Sequence, residues 1–260
     1  MNRIVLFRYH KKPYVCRDRL WQLKNFNPGI KILGLYGGKE SKFSKYKKYL
    51  SPYLEHNYCI KNKTNFWKWK NSDLGIRLWY ENIGEKLDFD MLHVIEWDLL
   101  LFDSLNALYK KIPKNCIGLT ALNPLKTVKV TWTWVYKEPY KTQWAKLLKY
   151  AKDYFRYNKQ PYASLGPGPC LPKKFLDKFC FVNVPDLCND ELRLPLFGQI
   201  FGFKLIETGF YKRWSDQNIM KFFNCHGNEI SLNRIRKELK RQGGRKSFHP
   251  YRKRLKEVVF

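Results

Sequence analysis

The pattern that most constrains this chain lies in its first forty residues, where "RIVLFRYH" (3–10) and "IKILGLYGG" (30–38) flank a helical stretch. The first segment is a short apolar run of branched and aromatic residues, the pattern of a buried strand. In "YVCRDRLWQLKNF" (14–26), Val15, Leu20, Leu23 and Phe26 fall at helical spacing. "NPG" (27–29) stops that helix, because Pro and Gly punctuate a chain. The second strand exits through two glycines. Strand, helix, strand in this order implies a parallel pair and an α/β class.

The rest continues in that style. "KFSKYKKYLSPYL" (42–54) reads as a basic helix or loop, and "EHNYCIK" contains a short third strand. "SDLGIRLWYENIGEKL" (72–87) is helical, with Ser72 or Asp73 near its start. "MLHVIEWDLLLF" (91–102) is a strand, and "NCIGLTAL" (115–122) and "VKVTWTWVY" (128–136) are further strand candidates, the last on its alternating Val128, Val130, Trp132 and Trp134. "QWAKLLKYAKDYF" (143–155) is an amphipathic helix, "SLGPGPCLP" (164–172) a loop, and "KKFLDKF" opens another helix. "NDELRLPLFGQIFGF" (189–203) is a helix with an acidic start, Leu205 to Phe210 a late strand, and the chain after Asn228 a helix and tail.

At 260 residues, with 44% hydrophobic and 17% aromatic side chains, the chain is large enough for one domain with a real core. Lys and Arg number 50 against 22 acids, which points to a phosphate-bearing or otherwise anionic partner. Nucleic acid, anionic lipid and nucleotide-sugar phosphates all satisfy that. From Arg234 to Lys256 there are eleven Lys or Arg and one acid, Glu238. That run reads as a solvated basic helix and tail, or as a contact for phosphates or an anionic membrane. Seven scattered cysteines without a C-x-x-C pair read as reduced thiols of a cytoplasmic protein, not as a zinc site. No signal peptide and no run of bilayer length is expected.

"HVIEWDLLLF" (93–102) places Glu96 and Asp98 two apart in an apolar segment. Residues two apart on a strand face the same side. Ligands of open α/β sheets bind outside the carboxyl ends of the strands. Hard cations such as Mg²⁺ and Mn²⁺ take carboxylate oxygens together with substrate phosphates. The pair is therefore a solvated strand end, a partner for Lys or Arg, or a divalent-metal site.

On "IVLFRYHKKPYVCRDRLWQLKNFNPGIKILGLYGG" and "IEWDLLLF", the sequence resembles the GT-A fold glycosyltransferases of small viral and bacterial type, nucleotide-sugar-dependent enzymes whose Asp-x-Asp (DXD) motif binds a divalent cation. The likeness follows the order of elements over most of the chain, but in residues it covers only these patches. The first acid of the motif is Glu here. It implies a single GT-A-like, Rossmann-like domain with a mostly parallel central sheet flanked by helices. Residues 1–122 would form the nucleotide-sugar-binding half, 123–228 the acceptor-binding half, and 229–260 a basic helix and tail completing the site. It further implies Asp98 as metal ligand, Glu96 near the ribose or a metal-bound water, Asp73 and Arg77 near the base or ribose, and Arg8 and His10 in the nucleotide pocket. Asp73 as a helix cap and Arg77 as a surface residue are the plain alternatives.

Such enzymes often supply a late His to the metal. His249 in "SFHPYRK" is preferred, with Arg252 and Lys253 as diphosphate partners; His226 in "NCHGNE" is the substitute. Asp190 and Glu191 are expected as catalytic carboxylates that deprotonate the acceptor hydroxyl, or else as acids favoured in a helix's first turn. "SLGPGPC" is the candidate acceptor loop. Trp132, Trp134 and Trp214 are candidate sugar-stacking faces, or buried aromatics.

The expected activity is therefore metal-dependent transfer of a sugar, hexosyl or pentosyl, from a nucleotide-diphosphate donor to a glycan or other hydroxyl acceptor, with inversion. The cofactors are Mn²⁺ or Mg²⁺ and a nucleotide sugar, with UDP as the default. No obligate protein partner is evident, and the basic tail admits a peripheral contact with an anionic membrane. The competing class is a basic nucleic-acid-binding protein or metal-dependent nuclease, which the charge and the abundant aromatics also suit.

Overall fold

The computed structural model describes residues 1–128, 132–211 and 217–254. Seven strands form the central sheet: β1 (Arg3–Tyr9), β2 (Lys31–Tyr36), β3 (Asn57–Cys59), β4 (Met91–Glu96), β6 (Cys116–Pro124), β7 (Tyr162–Pro172) and β8 (Lys204–Glu207). Their spatial order is β3-β2-β1-β4-β7-β6-β8. A separate two-stranded ribbon pairs β5 (Leu100–Leu101) with β9 (Ser247–Phe248). β1 lies parallel to both β2 and β4, β2 to β3, and β6 to β8; β7 runs antiparallel to β4 and β6. The expected α/β class with a mostly parallel sheet flanked by helices is what the chain forms.

The opening strand–helix–strand unit is present, with its helix at Pro13–Phe26. Pro13 starts that helix, where a missing N–H costs nothing. Val15, Cys16, Leu20 and Leu23 bury its inner face. Central strands are buried on both faces, so Ile4, Val5, Leu6 and Phe7 are all inaccessible, which explains their unbroken apolar run. All seven cysteines are free thiols. Among the described residues, no helix is long and apolar enough to cross a membrane.

Two segments depart from expectation. "SLGPGPCLP" is not a loop but most of β7, in the middle of the sheet. Prolines are tolerated there because the β6–β7 register shifts between Gly118 and Thr120 and again before Asn123. Side chains replace the missing ladder bonds: Thr120 Oγ1 donates to the Pro167 carbonyl at 2.7 Å and Tyr109 to that of Gly168 at 2.9 Å. Residues 128–136 are not a strand over the described part. Leu125–Val128 and Thr133–Tyr136 are helical turns, while Val130 lies outside the described residues. Val128 is buried and Trp132 and Trp134 pack on the same core, so inward alternation arises there without strand pairing.

Candidate active site

β1 is the strand at which the chain order reverses: β2 and β3 lie to one side, β4 to the other. Crevices at such switch points bind ligands in open α/β sheets. The register sets Arg8 at the end of β1 beside Glu96 at the end of β4. Arg8 Nη1 donates to Glu96 Oε1 at 2.8 Å. Beyond Glu96, Trp97 turns into the core and Asp98 returns to the cleft side, buried.

The ribbon brings the late histidine to this point. β5 begins two residues after Asp98 and β9 ends one residue before His249, so pairing Leu100 with Phe248 sets the two side chains together. Tyr251 N–H donates to the Asp98 carbonyl at 2.9 Å and reinforces the closure. His249 Nε2 then lies 3.6 Å from Asp98 Oδ1 and 3.9 Å from Glu96 Oε2. The remaining carboxylate oxygens are taken: Glu96 Oε1 by Arg8, and Asp98 Oδ2 by Arg252 Nε at 3.1 Å.

What converges is therefore Oε2, Oδ1 and Nε2, and ligand atoms of these three residues lie within 4.8 Å of one another. This donor set suits Mn²⁺ or Mg²⁺. The His249 Nδ1 is 2.7 Å from the Asn224 carbonyl, the outer partner that metal-binding histidines usually have. Burial alone would push the Asp98 carboxyl up, but His249 and Arg252 outweigh it and hold it well below the usual carboxylate range. Burial likewise pushes the His249 imidazole down, while Asp98, Glu96 and the Asn224 carbonyl prevail and raise it.

Asp190 and Glu191 line the same cleft, which encloses about 680 Å³. They open the helix Asp190–Ile200. Pro195 within that helix has no N–H for the Glu191 carbonyl, and Ser164 Oγ donates to it instead at 3.3 Å. Glu191 Oε1 accepts from Gly166 N–H at 2.9 Å and Oε2 from Asn189 Nδ2 at 3.0 Å. Asp190 accepts from the Ser72 hydroxyl. Burial pushes both carboxyls above their usual range; the neighbouring Asp73 charge adds to this at Asp190, and the Asp190 charge at Glu191.

Of the other expected residues, His10 lines the cleft, edge-on to Trp97 with ring centroids 5.4 Å apart. Asp73 is not at the cleft. It is fully buried in a two-pronged ion pair with Arg193, at 2.6 and 2.7 Å. Arg193 places all five N–H groups: two on Asp73, one on Asn71, and one each on the Leu187 and Cys188 carbonyls. Asp73 thus anchors the helix that carries Asp190 and Glu191.

Arg77 pairs with Glu81 at 2.7 Å and ties its helix to the Cys180 and Val182 carbonyls, away from the cleft. Lys253 is exposed, and its carbonyl accepts from Arg19 at 2.9 Å. His226 is exposed and outside the Glu96–Asp98–His249 set. Trp134 lines the cleft, Trp132 packs on the core, and Trp214 lies outside the described residues. Gly166 and Pro167 of the expected acceptor loop do reach the cleft, as part of β7.

Sequence reasoning missed several lining groups: Lys11, Lys39, Lys42, Lys68, Trp69 and Cys225. Lys68 is buried and donates to the Gly38 carbonyl at 3.1 Å. Gly38 itself leaves no room for a Cβ, which would sit 2.5 Å from the His10 carbonyl oxygen. A Gly-Gly exit after a second strand is the one signal that marked this wall in advance.

No protein-family model matches the chain, and no curated protein matches it. Among solved structures it is similar to the bifunctional glycosyltransferase WbbM, with a TM-score of 0.48, 10% identity and 87% of this chain covered; it spans 40% of that chain's length. It is similar to the galactosyltransferase LgtC solved with donor and acceptor sugar analogues, with a TM-score of 0.42, 14% identity, and 84% of this chain and 74% of that one covered. It is also similar to 4-diphosphocytidyl-2C-methyl-D-erythritol synthase from Anaerococcus prevotii, with a TM-score of 0.45, 13% identity, and 84% and 93% covered.

Proposed function

We propose that the chain is a divalent-cation-dependent glycosyltransferase, transferring a sugar from a nucleotide-diphosphate donor, UDP-linked by default, to a hydroxyl of a glycan with inversion. The observation that carries this reading is the convergence of Glu96 Oε2, Asp98 Oδ1 and His249 Nε2 in the same cleft as Asp190 and Glu191.

Asp98, His249 and Glu96 would hold Mn²⁺ or Mg²⁺. The bound cation supplies positive charge against the diphosphate oxygens. Arg8, Lys11 and Arg252 add fixed positive charge on that side of the cleft. His10, which lines the cleft, would meet the nucleoside. The acceptor oxygen forms its bond to the anomeric carbon as the bond from that carbon to the diphosphate oxygen breaks. The diphosphate leaves with the electron pair, and the acceptor proton passes to the carboxylate of Asp190 or Glu191. Burial and the neighbouring charge raise both carboxyls, so the member of the pair that is ionised is a stronger base than a free carboxylate, while its partner keeps a proton. Residues 1–122 serve chiefly the donor, 123–228 chiefly the acceptor, and the segment from 229 closes the site. Arg234, Arg236, Lys237 and Lys240, exposed on the helix Leu232–Lys240, are the surface for any peripheral contact with an anionic membrane.

The test is donor hydrolysis across a panel of UDP- and GDP-sugars, with and without Mn²⁺, for the wild type and Asp98→Ala. Cation-dependent hydrolysis that Asp98→Ala abolishes is expected. Stabilisation by single-stranded DNA without response to any nucleotide sugar would favour the nucleic-acid reading and sink this one.

A further inference from the structure

The short helix Asn65–Lys70, "NFWKWK", is capped by Thr64, whose Oγ1 accepts from Trp67 N–H at 3.1 Å. Trp67 turns toward the body of the protein, and its indole N–H donates to Asp186. Phe66 and Trp69 are left outside, 55% and 62% exposed. Their rings start a row drawn from two distant segments. Phe66 is 5.8 Å from Trp69, Trp69 is 5.8 Å from Trp134, and Trp134 is 4.4 Å from Tyr140. Trp134 and Tyr140 are half-buried, so the row leads from two exposed rings down to the core; exposed aromatic surface of this kind is costly to keep in water and marks an interaction site.

The row has a direction. Trp69 and Trp134 line the cleft together with Asp190 and Glu191. Ser72, three residues past Trp69, contacts Asp190 through its hydroxyl. Lys70 reaches Asp186 at 3.5 Å and Gln143 at 3.4 Å, and Gln143 holds Cys188 N–H at 3.0 Å. The helix is thus tied to the segment that leads into the two acids, and the row runs outward from them.

We infer that this row is a carbohydrate-binding platform, and that the acceptor is an oligosaccharide lying across Trp69 and Trp134 with its terminal hydroxyl at Asp190 and Glu191. The acceptor role rests on the transferase reading; the binding of sugar does not. A pyranose offers an apolar C–H face to an aromatic ring and hydroxyls at its rim, which Trp69 and Trp134 on one side and the two acids on the other can meet within one cleft. Stacked nucleobases or an anionic bilayer would need cations alongside the rings. Within the helix, Lys68 is buried against Gly38 and Lys70 pairs with Asp186, although Lys63 stands over the Trp67 ring and Lys39 and Lys42 line the cleft wall. What favours a neutral sugar is the inner end of the row, at Asp190 and Glu191, carboxyls that repel a polyanion and suit sugar hydroxyls.

The experiment is binding of the intact chain to a printed oligosaccharide array, then titration of the strongest binder in solution. Wild-type protein should bind oligosaccharides in preference to monosaccharides. Trp69→Ala and Phe66→Ala should each weaken that binding by about tenfold, the scale of a lost stacking contact. Tyr154→Ala, at a ring 73% exposed and outside the row, should not. Phe66, being exposed, keeps the test valid if a cleft-lining variant folds poorly. Absence of any glycan binding overturns the inference, as does equal binding by wild type, Trp69→Ala and Phe66→Ala. So does Trp69-dependent binding of single-stranded DNA or phosphatidylglycerol vesicles in place of glycans. A wild type that binds glycans through Trp69 but hydrolyses no nucleotide sugar leaves the platform standing and removes the transferase. Cation-dependent donor hydrolysis without glycan binding does the reverse.

Discussion

Nδ1 of His249 lies 2.7 Å from the carbonyl oxygen of Asn224, so the imidazole is held with Nε2 facing Asp98 and Glu96. A ring so fixed suits the ligand role proposed for it. His249→Ala should therefore weaken Mn²⁺ binding by at least the ~10–100-fold typical of losing even an outer-shell partner. Electron paramagnetic resonance titration of free Mn²⁺ checks this. Unchanged affinity would exclude His249 as a ligand.

Asp73 and Arg193 form an ion pair with no solvent access. Removing one partner of such a pair strands the other, at a cost of about 3–5 kcal/mol. Asp73→Ala should lose about that much in urea unfolding. Replacing both residues with apolar side chains of similar volume should cost less than Asp73→Ala alone. A loss under ~1 kcal/mol for Asp73→Ala would show that water reaches the guanidinium.

The raised Glu191 carboxyl makes stability depend on pH in a defined direction. The folded chain keeps a proton that the unfolded chain releases near pH ~4. The wild type therefore loses stability as pH climbs from there until the pair is ionised, and then levels off. Glu191→Gln removes one of the two titrations. Its melting temperature relative to wild type should rise between pH 5 and pH 9, although transfer activity falls. A gap that stays constant, or shifts the other way, would mean that Glu191 is ionised in the folded state throughout.

Arg19 is buried under the C-terminal segment, donating to the Tyr251 and Lys253 carbonyls at 2.8 and 2.9 Å with its guanidinium over the Tyr251 ring. Arg19→Met should keep much of the packing but release this clamp. Hydrogen exchange should accelerate at residues 247–252 while β1 and β4 stay protected, and Mn²⁺ affinity should fall with it. Uniform acceleration through the sheet would indicate a role in overall stability instead.

Part of what lines the cleft was legible because its signals are local. Glu96 and Asp98 interrupt an apolar run; Glu96 ends β4, and the turn that follows returns Asp98 to the same cleft. His249 was singled out by the resemblance alone, which implies a late His; in the residues themselves a His-Pro step in a basic tail reads equally well as surface. Asp73 was misleading because a helix-start acid looks the same whether it faces a ligand or a buried arginine, and Arg193 is 120 residues away. "SLGPGPC" was unreadable as a strand because its prolines lack donors, and the compensating Thr120 and Tyr109 lie in other segments. Trp69 carried no pattern, since its meaning comes from Trp134, brought near only by folding.

Arg252 reaches back across 154 positions to grip Asp98. During synthesis, then, Glu96 and Asp98 emerge long before the histidine and arginine that complete their surroundings. Until the ribosome has released residue 252, the nascent polypeptide carries the two acids without these partners, and a stop codon upstream of His249 would leave them so.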